Sequence, residues 1–158
     1  MGERARILVV DDDESIRRVL ATILELEGYN VDTVETGKQA IEKTDANFYN
    51  VVLIDIRLPD MEGTKLLTEM KETTPKMAKI IVTGFPSLQT AVEAVNQGAD
   101  AYILKPVNMD NVLETITEQL QKQQKAQEYS EEKVAEFIET RVKEIENERM
   151  IVQDRKNP

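Results

Sequence analysis

Val51-Val52-Leu53-Ile54-Asp55 is four apolar residues in succession, closed by a carboxylate. The run is far too short to span a membrane, and it lacks the polar alternation of a half-solvated strand. It therefore predicts a central strand of a parallel sheet, buried on both faces. Such strands deliver their C-terminal ends to the edge of an open α/β sheet, where ligands bind. The same construction occurs earlier, where Ile7-Leu8-Val9-Val10 runs into Asp11-Asp12-Asp13. Two buried strands thus carry acids to one edge. Asp13 is better used as a helix cap, which leaves Asp11, Asp12 and Asp55 as the candidate site.

Outward from these two strands the chain alternates. After Asp13-Glu14-Ser15, Ile16, Val19, Leu20, Ile23 and Leu24 recur at helical spacing, and Gly28 closes the helix. Val31 to Val34 is a short strand, and Thr36-Gly37 opens a second helix. Pro59 and Gly63 shape a loop beyond Asp55, and Leu66, Leu67 and Met70 mark a third helix. Lys79 to Val82 forms a fourth strand ending in Thr83-Gly84. Ser87 caps a fourth helix, with Ala91, Val92, Ala94 and Val95 expected on its inner side. Ala101 to Leu104 is a fifth strand ending in Lys105-Pro106, and a fifth helix begins near Asp110. Five strands alternating with five helices call for a parallel sheet covered on both faces.

Composition narrows the chemistry. The chain of 158 residues carries a formal charge of −10 and is 41% hydrophobic. An acidic chain is poorly suited to neutralising phosphates, so direct DNA binding is not expected. Cysteine and histidine are both absent, which removes disulfides, thiolate metal sites and the usual general base. No apolar stretch approaches membrane length, and the expected location is cytoplasmic. Three clustered carboxylates need an offsetting charge. A hard divalent cation such as Mg²⁺ supplies one, and Lys105, at the end of strand five, supplies another. A carboxylate held this way can act as a nucleophile towards phosphorus, with the Thr83 hydroxyl donating to a phosphoryl oxygen and Gly84 leaving the approach open.

Four blocks carry a resemblance. They are Val9-Val10-Asp11-Asp12; Asp55 with Leu58-Pro59-Asp60-Met61-Glu62-Gly63; Thr83-Gly84; and Tyr102-Ile103-Leu104-Lys105-Pro106. In this order, each at a strand end, they resemble the response-regulator receiver domain of two-component signalling, the chemotaxis-regulator type, over residues 5–121. The resemblance implies an α/β, flavodoxin-like, doubly wound five-stranded parallel sheet of order 2-1-3-4-5 with five helices, followed by a C-terminal helical extension over 122–158. It implies that Asp55 accepts a phosphoryl group from a sensor histidine kinase. Asp11, Asp12, Asp55 and the backbone carbonyl of Arg57 would hold Mg²⁺. Thr83 and Lys105 would engage the phosphate, Tyr102 would turn inward on activation, and the Lys105–Pro106 bond would be cis. Arg57 and Phe85 stand where the family tunes hydrolysis; neither offers a base, so a long-lived phosphoryl state is expected. The signal would leave through the helix 4–strand 5–helix 5 face and the C-terminal helix, to a partner or a homodimer. A stand-alone phosphorelay intermediate or phosphate sink, and a scaffold that is never phosphorylated, are the competing readings. A metal-dependent phosphatase would want a second acid and a cap over the substrate, and neither is visible.

Beyond Gln121 the character changes. Residues 121–127 are polar all round and read as a solvated extension or a linker. Ser130-Glu131-Glu132 then resembles a fresh helix start. Val134, Phe137, Ile138, Val142 and Ile145 form an apolar stripe, with Arg141 and Arg149 interrupting the seam. Self-association through this stripe and folding back onto the domain both remain open. No output domain is recognisable.

Overall fold

The computed structural model describes residues 4–84 and 86–156. The elements run β1 (Arg6–Val10), α1 (Glu14–Leu26), β2 (Asn30–Val34), α2 (Gly37–Ala46), β3 (Val51–Ile54), α3 (Gly63–Glu69), β4 (Ala78–Thr83), α4 (Leu88–Asn96), β5 (Ala101–Leu104) and α5 (Met109–Lys156). The five strands pair in parallel, in the order β2-β1-β3-β4-β5. This is the α/β sheet that the alternation and the resemblance implied.

The continuous apolar runs have a simple cause. Successive side chains of a strand point to opposite faces, so a stretch covered on both sides is apolar at successive positions; the buried Lys79 of β4 is an exception, its ammonium donating to the Leu67 carbonyl at 2.8 Å. Leu8, Val10, Val52, Ile54 and Ile81 face one layer, with Ala40, Leu66, Leu67 and Ala94 from α2, α3 and α4. Ile7, Val9, Val51, Leu53, Ile80 and Val82 face the other, with Leu20 and Leu24 from α1 and Val112 and Ile116 from the start of α5. The core therefore lies in two sheets of side chains around one sheet of backbone. Truncating Leu53, which is fully buried, to alanine is expected to cost about 3 kcal/mol, measured by urea denaturation.

Two expectations about the helices need correction. Val92 and Val95 were placed on the inner side of α4, but they are exposed, together with Leu88; only Ala94 is buried. The helix carries two apolar stripes, Ala91/Ala94 and Leu88/Val92/Val95. It is short enough to bury only one of them, and the small residues permit the closer approach. Ser130 does not start a helix either, because α5 runs through it without a break. Residues 121–132 hold no Gly or Pro and are rich in Gln, Lys and Glu, which favour helix. Gln124–Glu128 and Gln127–Glu131 add side-chain pairs one turn apart, at 3.3 and 3.4 Å. Between α2 and β3 lies Tyr49. It is fully buried and donates its hydroxyl to Asp32 Oδ2 at 2.5 Å, with the Arg6 guanidinium over its ring.

The chain divides into two compact units after Gln123. Gln123 belongs to the first: its side chain bonds Asn50 at 2.9 and 3.2 Å and donates to the Lys76 carbonyl at 2.7 Å. The second unit is helix throughout its described residues, and Val134, Phe137, Ile138, Val142 and Ile145 on it are all exposed. No helix among the described residues is long and apolar enough to cross a membrane.

Candidate functional site

Register builds the site. Val10 lies opposite Ile54, so the next residues, Asp11 and Asp55, emerge side by side. The Asp55 amide donates to the Val10 carbonyl at 3.0 Å and pins the pair. Thr83 lies opposite Leu104, and the Lys105 amide donates to the Thr83 carbonyl at 2.8 Å. Lys105 thus leaves the sheet edge two strands from Asp55. Its stem spans the gap: Nζ stands 2.8 Å from Asp11 Oδ2 and 3.0 Å from Asp55 Oδ2. Asp12 completes a cluster in which one carboxylate oxygen from each of Asp11, Asp12 and Asp55 lies within 4.8 Å of the others. Asp11 and Asp55 are buried, while Asp12 faces solvent.

The electrostatics follow from this geometry. Burial pushes the Asp55 carboxyl above its ordinary value; Lys105 offsets this in part, and the neighbouring Asp11 charge adds to it. Burial acts to lower Lys105, but hydrogen bonds and charges from Asp11 and Asp55 outweigh it and hold the ammonium above its ordinary value. Three carboxylates against one ammonium leave two negative charges uncompensated. All the donors are hard oxygens, one acid is open to solvent, and a divalent cation would balance the charge. The donor set therefore fits Mg²⁺ or Ca²⁺ and does not resemble a zinc site.

The remaining candidate residues take up particular places. Thr83 is fully buried as the last residue of β4. At Gly84 a methyl group would meet Cβ and Cδ of Lys105 at 3.7 and 3.8 Å, an ordinary contact. Arg57 lies in the loop after β3, where its amide donates to Asp55 Oδ1 at 3.4 Å. Pro106 follows Lys105 through a cis bond. Tyr102 packs its ring against the core, and its hydroxyl lies 3.3 Å from Thr90 Oγ1. Asp13 caps α1, accepting from the amides of Ser15 and Ile16. Phe85 lies outside the described residues.

The chain belongs to the response regulator receiver domain family. Its family model matches residues 7–117. A receiver domain protein of the chemotaxis-regulator type from Methanospirillum hungatei JF-1 is 48% identical, with a TM-score of 0.75 over 78% of this chain and 99% of that one. The beryllofluoride-activated NtrC4 receiver domain dimer is 38% identical, with a TM-score of 0.70 over 75% and 98%. The transcriptional regulatory protein ZraR of Klebsiella oxytoca is 40% identical over 119 residues, 75% of this chain. The chain spans only about a quarter of the length of that relative, 27%.

Around the acids, three supports of this receiver escaped the sequence reading. Arg17 on α1 donates to the Asp11 carbonyl at 2.7 Å, from a position with no local sequence signature. Thr90 stands three residues after the cap Ser87 and makes a reciprocal capping box with it; that spacing was available in the sequence. Asp60 accepts from the amides of Gly37 and Lys38, both at 2.9 Å, so the loop after β3 caps α2. Slight burial opposes ionisation of Asp60, but those amide donors prevail and lower its pKa below the ordinary carboxylate value. A depressed folded-state pKa gives stability that is present above the unfolded value and lost as pH falls through the folded one. Asp60→Ala is therefore expected to lower stability at neutral pH and to approach wild type in acid, read from urea midpoints across pH.

Proposed function

We propose that this receiver is a phosphorylation switch with Asp55 as the acceptor. The observation that carries the reading is the Lys105 ammonium bridging Asp11 and Asp55 at 2.8 and 3.0 Å, with Asp12 close by at the solvent side. Asp55 attacks the phosphorus of a phosphohistidine on a sensor kinase. The P–N bond breaks, the imidazole leaves, and an acyl phosphate forms on the carboxylate. Asp11, Asp12, Asp55 and the Arg57 carbonyl would hold Mg²⁺, which would supply positive charge to neutralise phosphoryl oxygens. Lys105 exchanges a carboxylate oxygen for a phosphoryl oxygen. Thr83, one strand away, donates its hydroxyl to the phosphate, and Gly84 keeps the approach clear. With neither His nor an obvious base beside the acceptor, hydrolysis is slow, which suits a switch.

The output reading rests on the far side of the same strands. Thr83 ends β4, and the chain continues into α4, whose Thr90 holds the Tyr102 hydroxyl. Movement of Thr83 towards phosphate would loosen that contact and shift α4 against β5. Leu88, Val92, Val95 and Leu104 give α4 and β5 an exposed apolar face for a partner or a second copy. With a charge of −10, the chain itself is not the part that would contact DNA. A cytoplasmic setting follows from the kinase that the reading requires.

The test is acid-labile phosphate after exposure to a small-molecule phosphodonor, with Mg²⁺ present or chelated. Labelling is expected with the metal and is expected to fall at least about a hundredfold without it, an effect of the size assigned to electrostatic stabilisation of transferring groups. Equal labelling in EDTA would rule out the metal's part in the mechanism.

A further inference from the structure

The C-terminal half of α5 carries apolar residues that nothing in the receiver chemistry uses. Ile138, Val142, Ile145 and Val152 are between 41% and 56% exposed on one helix. With Ala135 and Arg149 they fall at alternating steps of three and four: Ala135, Ile138, Val142, Ile145, Arg149, Val152. That is the 3.5-residue repeat of a coiled-coil seam, with Ala135, Val142 and Arg149 at a positions and Ile138, Ile145 and Val152 at d positions. Phe137, Met150 and Ile151 lie off this line.

We propose that this seam pairs with the same seam of a second copy, parallel and in register. Charge selects both the occupant and the direction. In a parallel pair each g residue faces the e residue of the next heptad on the partner. Arg141 then meets Glu146 of the other copy, twice by symmetry. Val134 meets Glu139, and Glu148 meets Gln153, so no like charges face each other across these flanking pairs. In an antiparallel pair Arg141 would meet Glu148, but Glu139 would face Glu146, cancelling the gain. Arg141 already bonds Glu144 on its own helix at 2.7 Å. Both groups are exposed, so the guanidinium can serve either neighbour. Arg149 at an a position places two cations against each other. It weakens the pair and keeps it conditional, as polar residues at such positions do. Phosphorylation of the receiver would then tip the balance; this last clause alone rests on the switch proposed above.

The chain contains no cysteine, so single introduced thiols report pairing cleanly. Ala135→Cys and Val152→Cys proteins of the whole 158-residue chain, each alone, are expected to form disulfide dimers under mild oxidation, with and without phosphodonor. Asn147→Cys, on the outer side of the helix, is the background control. In a parallel pair a mixture of the first two gives no mixed dimer, because the positions lie about 25 Å apart along the helix. Mixed dimers without self-dimers would establish an antiparallel pair, and cross-linking no greater than the Asn147→Cys control would remove the seam; either overturns the proposal. In sedimentation, Ile145→Glu is expected to abolish association and Arg149→Leu to tighten it at least severalfold. Unchanged association in both would also overturn it. Acid-labile phosphate is read in the same samples. Phosphate without cross-links defeats the seam and leaves the switch; cross-links without phosphate do the reverse.

Discussion

Asp55→Ala is expected to reduce acid-labile phosphate to background while the protein stays folded. In the proposed switch the carboxylate is the nucleophile, and alanine offers no oxygen to phosphorus. Asp11 cannot substitute readily, since it is buried and its Oδ1 accepts the Asp13 amide at 2.9 Å while Oδ2 holds Lys105. Asp12 faces solvent and lacks the ammonium contact that Asp11 and Asp55 share. Wild-type labelling in Asp55→Ala would place the acceptor elsewhere and sink the switch reading. Folding should survive, because Lys105 keeps Asp11 at 2.8 Å. Stability should even rise at neutral pH in Asp55→Asn. The folded-state pKa of Asp55 is raised, so the folded protein favours the protonated form. The associated stability is complete below the unfolded pKa and is lost as pH rises through the folded one. Removing the charge recovers it. A urea midpoint for Asp55→Asn below wild type at pH 7 would contradict this account.

Gly63→Val is expected to be the most damaging single change at the site, costing about 3 kcal/mol, in the range for forcing atoms into a packed interior. Gly63 is the first residue of α3, and a Cβ there would run into the backbone carbonyl of Asp55. That obstacle is main chain, held just past the end of β3 by the Asp55 amide's bond to Val10, and cannot rotate away. The Gly63 amide also donates to the Ile56 carbonyl, which ties the loop back over the strand end. Relieving the clash means moving either α3 or Asp55 itself. Stability and phosphorylation should therefore fall together, measured by urea denaturation and by acid-labile phosphate in protein that remains folded. Gly63→Ala should show the same pattern to a lesser degree. Wild-type stability in Gly63→Val would mean that the loop has slack the structure does not show. The contrast with Gly84 is useful: a methyl group there meets Lys105 only at ordinary contact distance, so Gly84→Ala should be far milder.

The sheet and the acid cluster were legible in the sequence for the same physical reason. A stretch buried on both faces is apolar at successive positions, so residues 7–10, 51–54 and 80–82 stand out as continuous runs, and the acids that follow the first two mark the edge. The α4 residues were less legible, because periodicity finds apolar stripes but does not choose between two of them. Ala94 won the interior by size, leaving Val92 and Val95 outside. Ser130 misled because a serine followed by acids resembles a cap, yet capping requires the chain to leave helical geometry, and its neighbours favour staying in it. Tyr49 was hidden because it precedes β3 in what reads as a turn; only the approach of Asp32 and Arg6 from other strands provides its partners.

By itself the sequence determined the alternation of elements, the apolar strands and the supply of Asp11, Asp12, Asp55, Thr83 and Lys105 at their ends, because these follow from burial and from local periodicity. Only the tertiary structure decided that one lysine at the end of β5 reaches across β4 to bridge two acids, that Thr90 holds Tyr102, and that Gly63 abuts the backbone of Asp55. Those facts depend on strand order and register, which join residues as many as 94 positions apart. No local pattern encodes a distance of that kind.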